Sequence, residues 1–427
     1  MFSRICRSFA SSSPVHSKVL ILGAGDGGTS TARLLKKYGP FDMKDVRIID
    51  PSPTYWYQSF QTLVGAGLIS PTIIHFANKW LLPRRVIRTY ARVEEIDPEN
   101  NVVQCDDNNR YSYDILVVAL GLEIRVDLVD GLKDALSDEN CPVATNYLLK
   151  YSNKYSKLRQ NFKGGVSLFT QPSSHIKCGG APQKIMYLSC YDWIQKKIPH
   201  EALFYSGTQK YFVNDFYQDA LLKVAESYNI KINLNHDLVE IKPKEQIAIF
   251  KNLKTYELIE QKFDIMHVTP PQRPPSVIAQ SKLAGLEGYL DVDIFTLQHK
   301  KYPNVFGIGD CTELPTAKTT SVMNEQSYVL VKNLTSYVNK KPMDERYNGY
   351  TGCPVFVGGK KLMLCEFGYN QMVLPTFADD QRKPRYSFYI LKRYGIPFIY
   401  LVFGPDILRT MRHTVRRLRG KNPKIPN

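Results

Sequence analysis

The junction between the apolar run Lys18 to Leu22 and the loop Gly23-Ala24-Gly25-Asp26-Gly27-Gly28 constrains the fold more than any other stretch of the chain. A helix-forming segment, Thr29 to Tyr38, follows the loop. A second apolar strand, Val46 to Asp50, then ends in an acid 22 residues after Gly28. Strand, glycine loop, helix and acid stand in register as a βαβ dinucleotide fingerprint. Gly23 serves the tight turn, Gly25 lets backbone approach a pyrophosphate, and Gly28 lets the helix pack on the strand. The helix N-terminus meets the phosphates, and Asp50 is placed for the ribose hydroxyls. The fingerprint alone does not separate FAD from NAD.

Composition sets the outer limits. The 427 residues are 43% hydrophobic and 22% charged, which excludes a disordered or fibrous chain. That length gives two or three domains, each with its own core. No run reaches the roughly 20 apolar residues that span a bilayer; the longest, Ile396 to Phe403, is far too short and contains Pro397. The net charge of +16 is uneven, because residues 381–427 hold twelve Lys/Arg against the single acid Asp406. At the other end, residues 1–17 carry Arg4, Arg7 and several serines with no acid, the composition of a mitochondrial targeting peptide. None of the eight cysteines forms C-x-x-C or a zinc-finger spacing, so no metal site is expected. Any reactive cysteine pair must be assembled from distant positions by the fold.

Two later segments resemble parts of the two-dinucleotide flavoprotein reductases. Tyr113 to Gly121, through Ala119, resembles the strand that recrosses the cofactor. Asn304 to Asp310, through Gly309, resembles the strand whose terminal Asp holds a ribityl hydroxyl. The resemblance implies FAD, with a helix from about Lys318 pointing its positive end at the flavin. It also implies a second Rossmann-like unit between these segments, with a glycine fingerprint of its own for NAD(P)H. At that place Gly165 to Thr170 forms the strand, but Gln171-Pro172-Ser173-Ser174-His175-Ile176-Lys177-Cys178-Gly179-Gly180 follows, with no fingerprint. The next strand, Ala202 to Tyr205, ends in Ser206-Gly207 rather than an acid. The fold is retained there and the nicotinamide site lost, so another electron donor must reach the flavin. Cys178, ahead of a helix start at Pro182 and near Lys177 and Lys184, stands where a thiolate is favoured. His175 reads as a structural hydrogen-bonding residue.

The segments Lys177 to Ser189, His267 to Pro271, Thr296 to His299, Tyr302 to Thr312, Leu314 to Thr319 and Tyr347 to Pro354 are similar to the sulfide:quinone oxidoreductase family, over nearly the whole chain. That resemblance pairs Cys178 with Cys353 as a redox disulfide. It implies attack by hydrogen sulfide, as HS⁻, at Cys353 to leave a persulfide, with Cys178 released as thiolate towards the flavin. The sulfane sulfur then goes to glutathione, coenzyme A or sulfite, and the electrons to ubiquinone. Lys184 and Lys392 match the family's acceptor contacts. Two departures stand out: Cys178-Gly179-Gly180 where the family often has alanine at the second place, and Thr320-Ser321-Val322-Met323 where it has a run of alanines. Cys141, Cys190 and Cys365 read as structural thiols.

The expected architecture is α/β with two Rossmann-like domains, the second without a nucleotide site, and a C-terminal helical segment that associates with a membrane. Residues 18–140 and 285–350 form the FAD-binding domain, 141–284 the second Rossmann-like domain, and 351–427 the C-terminal segment. In the last helix Ile407, Leu408, Met411, Val415 and Leu418 share one face, with Arg409, Arg412, Arg416 and Arg419 on its flanks, facing anionic headgroups. A monotopic enzyme on the matrix side of the mitochondrial inner membrane is the expectation, with no nucleic-acid partner, since no RNA-binding motif is present. The rivals are a type II NADH:quinone oxidoreductase, disfavoured by the missing second fingerprint, and a non-catalytic flavin-bound sensor, disfavoured by the intact first one.

Overall fold

The computed structural model describes residues 13–420. Residues 1–12, most of the expected targeting peptide, lie outside them. The first strand runs Val15–Leu22, three residues earlier than the apolar pattern indicates, because Val15, His16 and Ser17 already pair with Tyr111, Ser112 and Tyr113. The helix Asp26–Tyr38 and the strand Val46–Ile49 complete the first βαβ unit. Asp50 sits just beyond the strand end.

Val15–Leu22 lies between Val46–Ile49 and Arg110–Val118, all parallel, and its residues Val19 to Leu22 are fully buried. A continuous apolar run of this kind is what a sheet covered on both faces requires. Val305–Gly307 returns from far along the chain to pair in parallel with Leu116 to Val118, completing a seven-stranded sheet. Its Gly309-Asp310 turn is thereby set at the same edge as the first glycine loop.

The second unit is a five-stranded sheet, wholly parallel, in the order Val143–Ala144, Ile265–His267, Gly165–Gln171, His200–Ser206, Lys231–Leu234. The helix Ala181–Gln195 follows its Gly165–Gln171 strand and is almost entirely buried. It packs against the hairpin Thr351–Gly358/Lys361–Phe367, which carries Cys353. Four helical pieces close the described chain: Tyr386–Ile390, the π-turn Leu391–Gly395, Ile396–Phe403 and Pro405–Leu418. Among the described residues no helix is long and apolar enough to cross a membrane.

Candidate functional site

The glycine loop is built for close approach. Gly23 has φ +98, and a Cβ there would overlap the Ala119 carbonyl. A Cβ on Gly28 would overlap the Gly23 carbonyl, so the helix can start against the strand only with glycine at both places. Gly25 differs: nothing lies within 4 Å of its absent side chain, and it faces a cavity of about 810 Å³. No side chain caps the helix that begins there. Open backbone, uncapped N–H groups and a large adjoining cavity fit a dinucleotide pyrophosphate.

The expected nucleotide-site residues gather on this cavity. Asp50 lines it, held by the Ala24 and Ser52 amides, which donate to its two oxygens at 2.7 and 2.8 Å. Ala119, Gly121, Gly309 and Asp310 form the facing wall. Burial raises the Asp310 carboxyl above its usual range, and Lys318 and Lys177 counter that in part. Lys318 does not open a helix. Its carbonyl accepts from the Cys178 amide at 2.5 Å in a strand-like bridge, and its ammonium donates to the Thr312 carbonyl at 3.0 Å. A 3₁₀ turn, Thr320–Val322, intervenes, and the helix runs Met323–Val338. The polar residues at this turn are tied down on both sides. Thr320 donates to Asp26 at 2.9 Å, while Ser321 donates to the Gly352 carbonyl and accepts from the Gly352 amide, both at 2.7 Å. Ser321 thus anchors the strand that carries Cys353.

Cys178 and Cys353, 175 positions apart in the chain, are brought into thiol contact. The Lys184 ammonium donates to Cys178 Sγ at 3.0 Å from one turn into the following helix, which begins at Ala181, one residue before Pro182. The hydrogen bond from Cys353, assisted by Lys184, holds the Cys178 thiol well below its ordinary range, whereas that same bond and burial push Cys353 up. With the Lys184 ammonium against its sulfur, Cys178 is the member of the pair whose thiolate is favoured. Burial opposes the Lys184 charge, and the neighbouring thiols more than offset it. Lys392, buried on the π-turn and facing the rings of Tyr57 and Phe60, is brought down to about 8 by burial and by Lys184. Cys178 itself has φ +55, a left-handed conformation uncommon outside glycine, and strain of this kind collects at working sites.

Cys178, Lys184 and Lys392 line the same cavity as the glycine loop. Cys353 is 2% exposed and sits just behind that wall, between the lining residues Gly352 and Pro354. Two further residues shape this geometry: Gly180, read in the sequence only as part of the motif, and Tyr147, which carries no signal there. A Cβ on Gly180 would come within 2.7 Å of Cys353 Sγ, and the Tyr147 hydroxyl donates to the Cys178 carbonyl at 3.4 Å. By contrast, nothing lies within 4 Å of a Cβ on Gly179, so the departure from alanine there leaves the turn intact.

The arginines of the last helix are placed differently from the expectation. Arg409 and Arg412 donate to the buried Glu325 at 2.9 and 2.7 Å, joined by His413 at 2.9 Å. Burial alone would raise the Glu325 carboxyl, but Arg412, His413 and Arg409 hold it far below its usual range. Arg416, 2% exposed, donates to the Leu374 carbonyl, and Arg419 to that of Thr376 at 2.8 Å. These arginines face the protein, because buried carbonyls and a buried carboxylate need donors there. Met411 and Leu418 point outward, together with Tyr386, Tyr394, Phe398 and Phe403 of the preceding pieces.

No protein-family model matches the chain. The mitochondrial sulfide:quinone oxidoreductase of Mus musculus is 36% identical over 409 residues, 93% of this chain and 90% of that protein. Its counterpart in Schizosaccharomyces pombe is 38% identical over 412 residues, covering 91% and 90%. The solved sulfide:quinone oxidoreductase of Aquifex aeolicus has the same fold, with a TM-score of 0.75 at 16% identity over 95% of each chain. At these identities over nine-tenths of its length, the chain belongs to the sulfide:quinone oxidoreductase family of oxidoreductases.

Proposed function

We propose that the protein oxidises hydrogen sulfide at the Cys178/Cys353 pair and passes the electrons, through FAD, to ubiquinone. The observation that carries this reading is the Lys184–Cys178–Cys353 cluster in the wall of the cavity that holds the glycine loop. In the oxidised pair HS⁻ attacks Cys353 Sγ; the S–S bond to Cys178 breaks and Cys353 becomes a persulfide. Cys178 leaves as a thiolate, which Lys184 stabilises, and a stabilised leaving thiol speeds exchange. A small acceptor, glutathione, coenzyme A or sulfite, takes the outer sulfur, with Lys392 and Lys184 supplying positive charge to it. Re-forming the disulfide releases two electrons. Bound FAD supplies the two-electron carrier between the thiols and the quinone. Its pyrophosphate would lie at Gly23 and Gly25, with Gly28 packing the helix start against the strand, its ribose at Asp50 and its ribityl chain at Asp310, with Ala119, Gly121, Gly309 and Lys318 around it.

The division of the chain follows: 18–140 with 285–350 for FAD, 141–284 for Cys178, and 351–427 for Cys353 and the membrane face. The outward apolar and aromatic face of 386–418 lies on the lipid interface and admits quinone; the cavity lining reaches it at Ile396, Ile399, Leu408, Met411 and Val415. The location we infer is the matrix face of the mitochondrial inner membrane. Anaerobic titration with sulfide, following the flavin spectrum with and without a short-chain quinone, tests the reading. Sulfide bleaches the flavin and quinone restores it, and either Cys178→Ser or Cys353→Ser abolishes the bleaching. A single-cysteine variant that bleaches at the parent rate would refute the disulfide mechanism. Rapid bleaching by NADH would favour the type II NADH:quinone oxidoreductase reading instead.

A further inference from the structure

Cys365 stands directly opposite Cys353 in the antiparallel hairpin, in register between Gly352/Glu366 and Pro354/Leu364. Residues so paired point to the same side of the ribbon, with Cα atoms about 4.5–5.5 Å apart, inside the about 4.4–6.8 Å that a disulfide spans. Both thiols are buried, Cys365 completely. Lys184, bonded to Cys178 Sγ at 3.0 Å, is close enough for its charge to act on Cys353 and Cys365 as well, and Glu366 is the other charged group acting on Cys365. The mechanism above uses two of these three thiols and leaves the third unexplained.

We propose that Cys365 is a third redox thiol, competing with Cys178 for Cys353 and closing a cross-strand Cys353–Cys365 disulfide by thiol–disulfide exchange. The inference rests on the Cys178–Cys353 pair of the preceding section. Cys365 Sγ attacks Cys353 Sγ, the Cys178–Cys353 bond breaks, and the new S–S bond forms. Cys178 departs as a thiolate beside Lys184, takes up the proton that Cys365 gives up, and exchanges it with the cavity that Cys178 lines. No electrons enter or leave, so no further oxidant is needed. The two thiols differ as leaving groups: Lys184, 3.0 Å from Cys178 Sγ, stabilises the Cys178 thiolate, whereas burial holds Cys365 protonated. Sulfide attack on the Cys353–Cys365 isomer therefore expels the poorer leaving group. The oxidised protein is a mixture of a fast and a slow disulfide isomer.

The sequence makes the isomers separable. Lys177 and Lys184 bracket Cys178, and Lys360-Lys361 lies between Cys353 and Cys365, so trypsin puts the three cysteines on three peptides. Oxidised holoenzyme, quenched in acid with N-ethylmaleimide and mapped by mass spectrometry, yields both linked pairs. The Cys178→Ser and Cys178→Ala variants, oxidised with diamide, yield Cys353–Cys365 as the dominant pair. In stopped flow, the slow phase of sulfide bleaching disappears in Cys365→Ala. If Cys365 is fully alkylated in the holoenzyme and in both Cys178 variants, while Cys178–Cys353 is found, Cys365 has no redox part and this inference falls alone. If the holoenzyme contains no Cys178–Cys353 linkage either, the disulfide reading beneath it falls as well. A slow phase that persists in Cys365→Ala also overturns the assignment.

Discussion

Two strand–turn–helix junctions, built on the same plan, face one cavity and are put to opposite uses. At Leu22 to Asp26 the turn is stripped of side chains, and the uncapped start of the helix Asp26–Tyr38 is left to an external anion. At Gln171 to Ala181 the turn is longer and filled from within the protein. The Ser173 amide donates to Asp237 at 2.7 Å, the Lys177 amide to Gln272 at 3.0 Å, and Cys178 pairs by backbone with Lys318. Of this loop only its end, from Lys177 onward, reaches the cavity, and it presents a sulfur and an ammonium instead of bare N–H groups. The first junction, short and glycine-lined, leaves room for a nucleotide beside its backbone. Lengthened and pinned, the second presents a sulfur beside a lysine instead.

The comparison can be broken at its glycines. Gly28→Val forces a branched side chain into the Gly23 carbonyl; we expect loss of bound flavin together with all sulfide activity, and a destabilisation of about 1–3 kcal/mol or more, seen as a lower melting temperature. Gly180→Ala strikes only the second junction. It displaces Cys353 Sγ, so flavin content is kept while sulfide bleaching slows by about tenfold or more, equivalent to about 1.4 kcal/mol on the barrier. Lys184→Met acts through charge: the pH midpoint for alkylation of Cys178 moves upward, and less of it is thiolate at neutral pH. Lys392 gives a smaller, graded effect. Because burial and Lys184 lower its pKa to about 8, its positive charge is lost as pH rises through that value. The KM for an anionic sulfur acceptor should therefore rise between about pH 7 and 9, and Lys392→Met should remove that dependence. Gly179→Ala is the control, with bleaching and stability unchanged within about 0.5 kcal/mol.

Much of the fold could be read from the chain because it rests on local patterns. The Lys18 to Asp50 fingerprint needs only neighbours in sequence, and the apolar runs Tyr113 to Val118 and Val305 to Gly307 announce buried parallel strands whatever pairs with them. Where a segment's conformation depends on a distant partner, local reading went astray. Lys318 is extended because it bridges to Lys177 and accepts from the Cys178 amide, so the helix begins only at Met323. The arginines of Pro405–Leu418 look like headgroup ligands in a helical projection. They turn inward because Glu325 and the Leu374 and Thr376 carbonyls, on other elements, lack donors without them. Gly180 was legible only as a motif glycine and Tyr147 not at all, since their importance lies in one approach to Cys353 and one to Cys178.

By itself, then, the sequence determined what is periodic or contiguous: the nucleotide-binding turn, the alternation of buried strands and helices, the absence of a second glycine fingerprint and the apolar, basic character of the tail. Tertiary structure alone decided which thiols meet, which of them has a lysine against its sulfur, and which side of the last helix faces outward. Thiol contact depends on Sγ atoms brought together from positions 175 residues apart, and the charge on Cys178 depends on a lysine held at 3.0 Å. Distances of that order follow from packing, which a one-dimensional pattern does not encode.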